Sequence, residues 1–446
     1  MSFAIYTMKL LDIKYNPYKE ISALPLAVVR ILFSSIMIIS LVRFWAMGWI
    51  KQFYVDPIMH FPYYGFEWIK FPGETLIYAF YVLMILSLVF MMIGRFYKIS
   101  SIIFFTLFTY VELIDKSLYL NHYYFVSIIA LLLILVPADK VFSLNKKQLL
   151  QVPAWTIDIF KFQISVVYLF AGIAKLNPDW LIYAMPLKLW LPANSELPII
   201  GSLLKLELTA YLASWFGAIY DLTIWYFLLN SKTRKYAYFF VFAFHLSTAI
   251  FFNIGMFPYI ISLLSLVFID SAQMEKVFKK LSLKTNINNY SYRFNPLRNI
   301  VISSFLTVFV LFQTLYPFRH IFYEGDLFWN EQGYRFGWRV MLIEKAGTID
   351  FKILDNSTGK TFYARPSDFL TKVQETQMAT QADMIVSFAH YLKEHYKKIG
   401  LNNISIYAES FASLNGSGTK RFIDPTVDLT KEKDGFEQKD WILSFK

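Results

Sequence analysis

The sequence predicts a mainly α-helical protein: a polytopic membrane bundle of about nine spans, followed by a small extracytoplasmic α+β domain. Three observations carry this. Of 446 residues, 56% are hydrophobic and only 17% are charged, too little polar surface for a soluble chain of this length to cover itself. Apolar stretches long enough to cross a bilayer recur through residues 1–319. In residues 320–446 that pattern gives way to strand-like alternation and one amphipathic helix.

The apolar runs fall at about 24–48, 74–94, 99–114, 122–136, 157–176, 208–229, 236–253, 255–270 and 299–317. Run 122–136 is short and needs its flanking residues to span. The tight turn NIGMFP between the seventh and eighth runs also suits a re-entrant hairpin. Basic residues cluster in alternate connecting segments: Lys9, Lys14 and Lys19; Arg95 and Lys98; Lys140, Lys146 and Lys147; Lys232, Arg234 and Lys235; Lys276, Lys279, Lys280, Lys284, Arg293 and Arg298. Positive residues stay cytoplasmic, so the N-terminus is expected inside and, after nine crossings, the C-terminal domain outside. The net charge of +11 is therefore topological, which argues against nucleic acid as a partner. The first run follows a polar, lysine-bearing arm without a small-residue cleavage site, so it is expected to remain as an anchor.

Beyond residue 320, TIDFKILD and KTFYARP alternate around the turn NSTGK and predict a β-hairpin. Residues 377–399 predict one amphipathic helix, with Met378, Ala382, Ile385, Phe388, Leu392 and Tyr396 on one face and Gly400 as its stop. NISIYAESFAS and the stretch after NGSG predict two further strands. The Lys/Asn-rich loop 271–298 is the segment expected to be most mobile.

Chemistry is narrowed by what is missing. The chain has no cysteine, which excludes disulfides, thiolate catalysis and cysteine-ligated metal. Its six histidines show no metal-ligand spacing, and no phosphate-binding, dinucleotide or serine-hydrolase motif is present. Attention then falls on polar groups in apolar surroundings. Lys175 lies at the outer end of the fifth run, on a face with Tyr168, Gly172, Ser165 and Lys161. Burial disfavours an ammonium, so a desolvated lysine can be neutral near neutral pH and act as a base. The plainer reading is an interfacial lysine with its stem in lipid and its head in water. Gly172 lets a neighbour or ligand approach the backbone.

His122, after the third run, is expected on the same side as Lys175, near Asp115, Lys116 and Asn121. It reads either as a hydrogen-bonded interface residue or as a group that holds a ligand oxygen. Asp221 and His245 lie inside the sixth and seventh runs; helix-packing glue and a functional site are the two readings. Glu112 and Gln313 are weaker examples. Residues 316–341, rich in aromatic residues, arginine and glycine, suit an aromatic belt or a mouth over the membrane site. They include His320, Trp338 and Arg339.

The blocks FQISVVYLFAGIAKLNPDW, FHLSTAIFFNIGMFPY and RFIDPTVD resemble the vitamin K-dependent gamma-carboxylase family, whose membrane part is the horizontally transferred transmembrane domain (HTTM). The resemblance runs from about residue 20 onward, and the first two blocks are specific together. It implies an integral-membrane enzyme in which a lysine deprotonates a hydroquinone. Oxygen then turns the quinol anion into a strong base, which removes a glutamyl γ-proton. The carbanion adds carbon dioxide, and the hydroquinone ends as an epoxide.

On this resemblance Lys175 is the base and His122 the second catalytic residue. Tyr168, Gly172, His245, Asp221 and Met256 are expected at the cofactor, and Asn121, His320, Trp338 and Arg339 at the substrate. The implied cofactor is reduced vitamin K or menaquinol, with O2 and CO2 as co-substrates and no metal. The implied partners are the lipid bilayer, a glutamate-containing protein or peptide outside the cytoplasm, and a quinone epoxide reductase. Composition points to a bacterial member in the cytoplasmic membrane. Competing expectations are a relative that matures another secreted peptide, and a non-enzymatic membrane binding or transport protein.

Overall fold

The computed structural model describes residues 16–144, 151–252, 254–280 and 296–445. Among the described residues the helices of the first part include α1 (Leu24–Ala46), α2 (Glu74–Ile93), α3 (Tyr97–Ile114), α4 (Asn121–Leu135), α5 (Trp155–Ala174), α6 (Glu207–Leu229), α7 (Arg234–Phe251), α8 (Phe257–Leu264) and α9 (Pro296–Leu315). In α1, Leu26, Val29, Phe33, Met37 and Leu41 follow helical spacing and are buried, whereas Ile39, Val42 and Trp45 point outward. A helix apolar on both its packed and its exposed face suits lipid rather than water.

Among the described residues, six helices are long and apolar enough to cross a membrane: α1, α2, α3, α5, α6 and α9 with its 3-10 extension. Of the nine spans expected, these six meet that length and apolarity; the other three helices are shorter or less apolar. α4 has 15 residues and α8 only eight before a 3-10 turn, Ser265–Phe268. α7 has 18 residues but carries Arg234, Lys235 and His245, which lower its apolarity.

The helix ends nevertheless gather on two opposite faces. On one, β1 (Glu20–Ser22) pairs antiparallel with β2 (Gln151–Pro153), Leu144 N donates to Ile93 O at 2.9 Å, and Arg234 meets Asp270 at 2.6 Å. Lys19, Arg95, Lys98, Lys140 and Lys232 belong to the segments that turn here. Lys9, Lys14, Lys146, Lys147, Lys284 and Arg293 lie outside the described residues, as does 281–295 of the loop expected to be mobile. On the opposite face, Lys116 N donates to Phe61 O at 2.8 Å and Asn194 Nδ2 donates to Phe251 O at 3.0 Å.

The C-terminal region packs against that second face. Its sheet has the order β4-β3-β5-β6, all neighbours antiparallel. β3 (Lys345–Asp355) and β5 (Ile404–Leu414) pair along their whole lengths, Lys345 opposite Leu414 and Asp355 opposite Ile404. β4 (Thr361–Ala364) returns from the turn 356–360, where Asp355 accepts from the backbone and side chain of its own loop and Gly359 has φ +71°. That is the expected hairpin. β6 (Lys420–Arg421) follows the NGSG loop.

The single helix expected at 377–399 is two. α10 (Lys372–Met378) opens with a reciprocal capping box between Thr371 and Gln374, and α11 (Ala382–Lys398) begins after a break at residues 379–381. Met378 is buried as foreseen but ends the earlier helix. Ile385, Phe388 and Leu392 are fully buried with Phe351, Ile353 and Ile406 of the sheet, and the Phe351 and Phe388 rings meet edge-on at 5.0 Å. Truncating Phe388 to alanine would cost about 3–5 kcal/mol through lost burial and a residual cavity.

Candidate functional site

Lys175 is the C-cap residue of α5. Asn177 then caps a new helical turn, Pro178–Leu181, by accepting from Trp180 N at 2.9 Å. Within this bend the Lys175 side chain is 7% exposed. Its Nζ donates to Asp221 Oδ2 of α6 at 2.7 Å and to Ala171 O at 3.2 Å, and it lies 5.2 Å from the centre of the Trp180 ring. The helices can come this close because residue 172 is glycine. A Cβ there would sit 2.7 Å from Leu222 N, immediately after Asp221.

A buried ion pair is a costly way to hold two helices together, since both groups must leave water. Two forms satisfy the same hydrogen bond: ammonium with carboxylate, and amine with carboxylic acid. The two side chains are therefore one hydrogen-bonded unit, in which loss of either member leaves the other buried without its counterpart.

Lys175 and Asp221 open onto a cavity of about 430 Å³. Its walls come from α5, α6 and α7, from the Ile254–Phe257 turn, and from Val340 and Met341. They are mostly aromatic and aliphatic, with Phe216, Phe240 and Phe244 prominent. A second polar pair faces the same space: Tyr168 Oη lies 2.8 Å from His245 Nε2. An apolar enclosure with a few convergent polar groups suits a mostly hydrophobic ligand that carries one or two oxygen functions.

With this geometry in hand, comparison with known families is decisive. The HTTM domain matches residues 18–272, and the lumenal domain of vitamin K-dependent gamma-carboxylase matches residues 298–446. The chain belongs to the vitamin K-dependent gamma-carboxylase family. No solved structure matches it. Membership of the gamma-carboxylase family, together with the apolar helices, makes this a carboxylase-like protein of the membrane. The lumenal-domain match fits a C-terminal domain outside the cytoplasm.

Within this gamma-carboxylase fold, four of the residues singled out in the sequence come together on the cavity wall: Lys175, Tyr168, Asp221 and His245. Gly172 lies behind that wall, against α6. Met256 caps α8 and packs on the bundle core beside the cavity. His122, at the start of α4, is buried but does not line the cavity. Its ring lies 6.1 Å from that of Phe257, which is itself 6.2 Å from His245, and a Cβ on Gly255 would be 3.9 Å from it.

The residues expected at the substrate occupy neighbouring ground. Asn121 Nδ2 donates to Arg339 O at 2.8 Å. Arg339 Nη2 lies 2.7 Å from His320 Nδ1, and both line a separate cavity of about 240 Å³ beside the end of α5. Burial pushes the Arg339 guanidinium down to about 10. Trp338 is core, stacked on Tyr124 with ring centres 4.9 Å apart. The segment 331–341 is strained: Glu331, Phe336, Trp338 and Met341 all have positive φ.

Sequence reasoning placed Asp221 in the bundle without finding its partner, 46 positions away. It named Lys116 only as a neighbour of His122. That side chain is 1% exposed and meets Asp434 at 2.7 Å and Asp383 at 3.0 Å, joining the bundle to the C-terminal domain. A lysine beside Asp115 in a connecting loop was the one available signal.

Proposed function

We propose that this chain is a quinol-dependent gamma-glutamyl carboxylase of the membrane, with the Lys175–Asp221 pair as its base. The observation that carries the reading is the pair itself, buried at 2.7 Å on the wall of an apolar cavity. The cavity fits a reduced quinone such as vitamin K hydroquinone or menaquinol. Aromatic walls suit its ring, and the two polar pairs suit its hydroxyl oxygens.

When bound, the hydroquinone supplies, with oxygen, a base strong enough to remove a glutamyl γ-proton before carbon dioxide adds. The chain's own residues do the rest. Lys175 and Asp221 take up a hydroxyl proton as a unit. The Tyr168–His245 hydrogen bond fixes both side chains, so that their polar ends hold one orientation toward the bound ring. The phenylalanine walls keep water from a site where a strong carbon-acid base must survive. His122 is assigned a positioning role: it packs beside Gly255 and Phe257, in the turn that forms one wall.

The orientation proposed is an N-terminus in the cytoplasm and nine alternating helices, three of them short or weakly apolar, with the division into two domains near residue 319. The C-terminal domain then presents a glutamate-containing peptide from outside. The test is quinol epoxide formation by the purified protein in detergent with oxygen, and mass spectrometry for carbon dioxide gained on a glutamyl peptide. Absence of both products in a folded preparation would overturn the reading.

A further inference from the structure

A third cavity, of about 200 Å³, lies at the seam between the bundle and the C-terminal domain. Its wall carries four cations, Lys116, Arg319, Arg335 and Lys439, and three carboxylates, Glu331, Asp383 and Asp434. The carboxylates are already committed. Asp383 holds Arg335 at 2.6 Å and Lys116 at 3.0 Å; Asp434 holds Lys116 at 2.7 Å; Glu331 holds Lys345, from outside the wall, at 3.0 Å.

Three donors remain. Among the described residues no carboxylate pairs with Arg319, whose guanidinium donates only to the backbone carbonyls of Tyr316 and Arg335. Lys439 Nζ is 3.9 Å from Asp434 and donates to Gly435 O at 2.9 Å. Gln332 is 7% exposed, and its Nε2 is buried without a partner. The orientation of that amide is fixed, because its Oε1 accepts the backbone N–H of Lys439 at 2.9 Å. A buried, unpartnered donor beside incompletely neutralised cations calls for an acceptor that carries negative charge. Burial pushes the Lys439 ammonium below its ordinary value, with Asp434 and Asp383 opposing it.

We propose that this seam cavity binds a carboxylate, held by Arg319, Gln332 and Lys439, and that its occupant is an acidic side chain of the peptide being modified. The cavity has room for a side-chain end but not for a tailed quinone. The strained segment 331–341 runs from this site to the Lys175 cavity, contributing Glu331–Phe336 to one and Val340–Met341 to the other. A peptide gripped here by one acid would have a neighbouring residue directed toward the reactive site. The identity of the occupant rests on the carboxylase reading; the anion site itself does not.

The experiment measures binding rather than turnover. A fluorescently labelled peptide containing three glutamates, and its glutamine counterpart, are titrated against the full chain in detergent, with acetate as the small-carboxylate arm. The wild type and Lys175→Ala are expected to prefer the acidic peptide equally, so loss of carboxylase chemistry leaves this site readable. Arg319→Gln is expected to reduce that preference on the order of tenfold. Gln332→Glu keeps the acceptor for Lys439 N–H but supplies an internal carboxylate, and is expected to abolish the preference while the protein stays folded. If acetate stabilises the wild type thermally but not Arg319→Gln, and the peptides bind alike, the carboxylate site stands but its occupant is a free small anion, and the peptide assignment falls. Unchanged peptide preference in both variants, with no acetate effect, overturns the site.

Discussion

The Lys116 ammonium lies 3.0 Å from Asp383 Oδ2, across the seam where the loop after α3 meets the first turn of α11. Arg335 approaches the same carboxylate at 2.6 Å. Together these cations hold the Asp383 carboxyl well below the usual carboxylate range, against the opposing effect of burial. Its contribution to stability is then complete above its unfolded value of about 3.9 and is lost as pH falls through the lower folded value. The thermal stability of Asp383→Asn should fall furthest below that of the wild type above about pH 4, the two converging in stronger acid. A gap that stays constant from pH 7 to pH 2 would remove Asp383 ionisation from the seam. Lys116→Met, which takes from Asp434 its near partner and leaves Asp383 to Arg335 alone, should cost about 3 kcal/mol at neutral pH.

Lys175→Ala and Lys175→Arg should both abolish quinol epoxidation. The first removes a proton acceptor, and the second replaces it with a guanidinium that does not give up its proton. Asp221→Asn should abolish it too, because the pair works as a unit. The double variant Lys175→Met/Asp221→Leu should recover the stability lost in either single truncation, yet stay inactive. Epoxide assays and thermal unfolding in detergent separate the two effects; activity in Asp221→Asn at the wild-type level would leave Lys175 acting alone.

Gly172→Ala should lower stability by about 1–3 kcal/mol, since its new Cβ meets backbone at Leu222 that cannot step aside. Pushing α5 from α6 also lengthens the Lys175–Asp221 contact, so epoxidation should fall more than the folded fraction does. Equal losses would make Gly172 a packing residue alone.

His122→Phe keeps a ring beside Phe257 and removes both nitrogens. As a positioning residue, His122 should yield to this change with a raised KM for quinol and little change in kcat, while His122→Ala loses both. A collapse of kcat in the phenylalanine variant would instead make the imidazole a participant in the chemistry.

Topology can be read cleanly because the chain has no native cysteine. Ser417→Cys, in the exposed loop before β6, should react with a membrane-impermeant maleimide on intact cells. Ser231→Cys, in the α6–α7 turn on the opposite face, should react only after permeabilisation. Labelling of both from outside would refute the alternating arrangement.

Local features were legible in the sequence. The hairpin at 355–361, the stop at Gly400 and the buried stripe Ile385, Phe388 and Leu392 follow from turn chemistry and periodicity. Gly172 was legible as a point of close approach, because only glycine removes the Cβ. The break between α10 and α11 was not, since the apolar spacing runs through it from Met378 to Ala382; the Thr371 capping box signals only where α10 begins. Composition alone does not fix the number of spans, because it does not distinguish a full crossing from a short helix packed among others, such as α8. Pairings such as Lys175–Asp221 and Lys116–Asp434 join residues far apart in the chain, and nothing local to either partner encodes the other.

The C-terminal sheet ends in two very short edge strands, β4 with four residues and β6 with two, while β3 and β5 pair with each other along their whole lengths on one side only. Edge strands this short offer a second copy of the chain few consecutive backbone groups to pair with, so the domain is guarded against sheet-to-sheet aggregation.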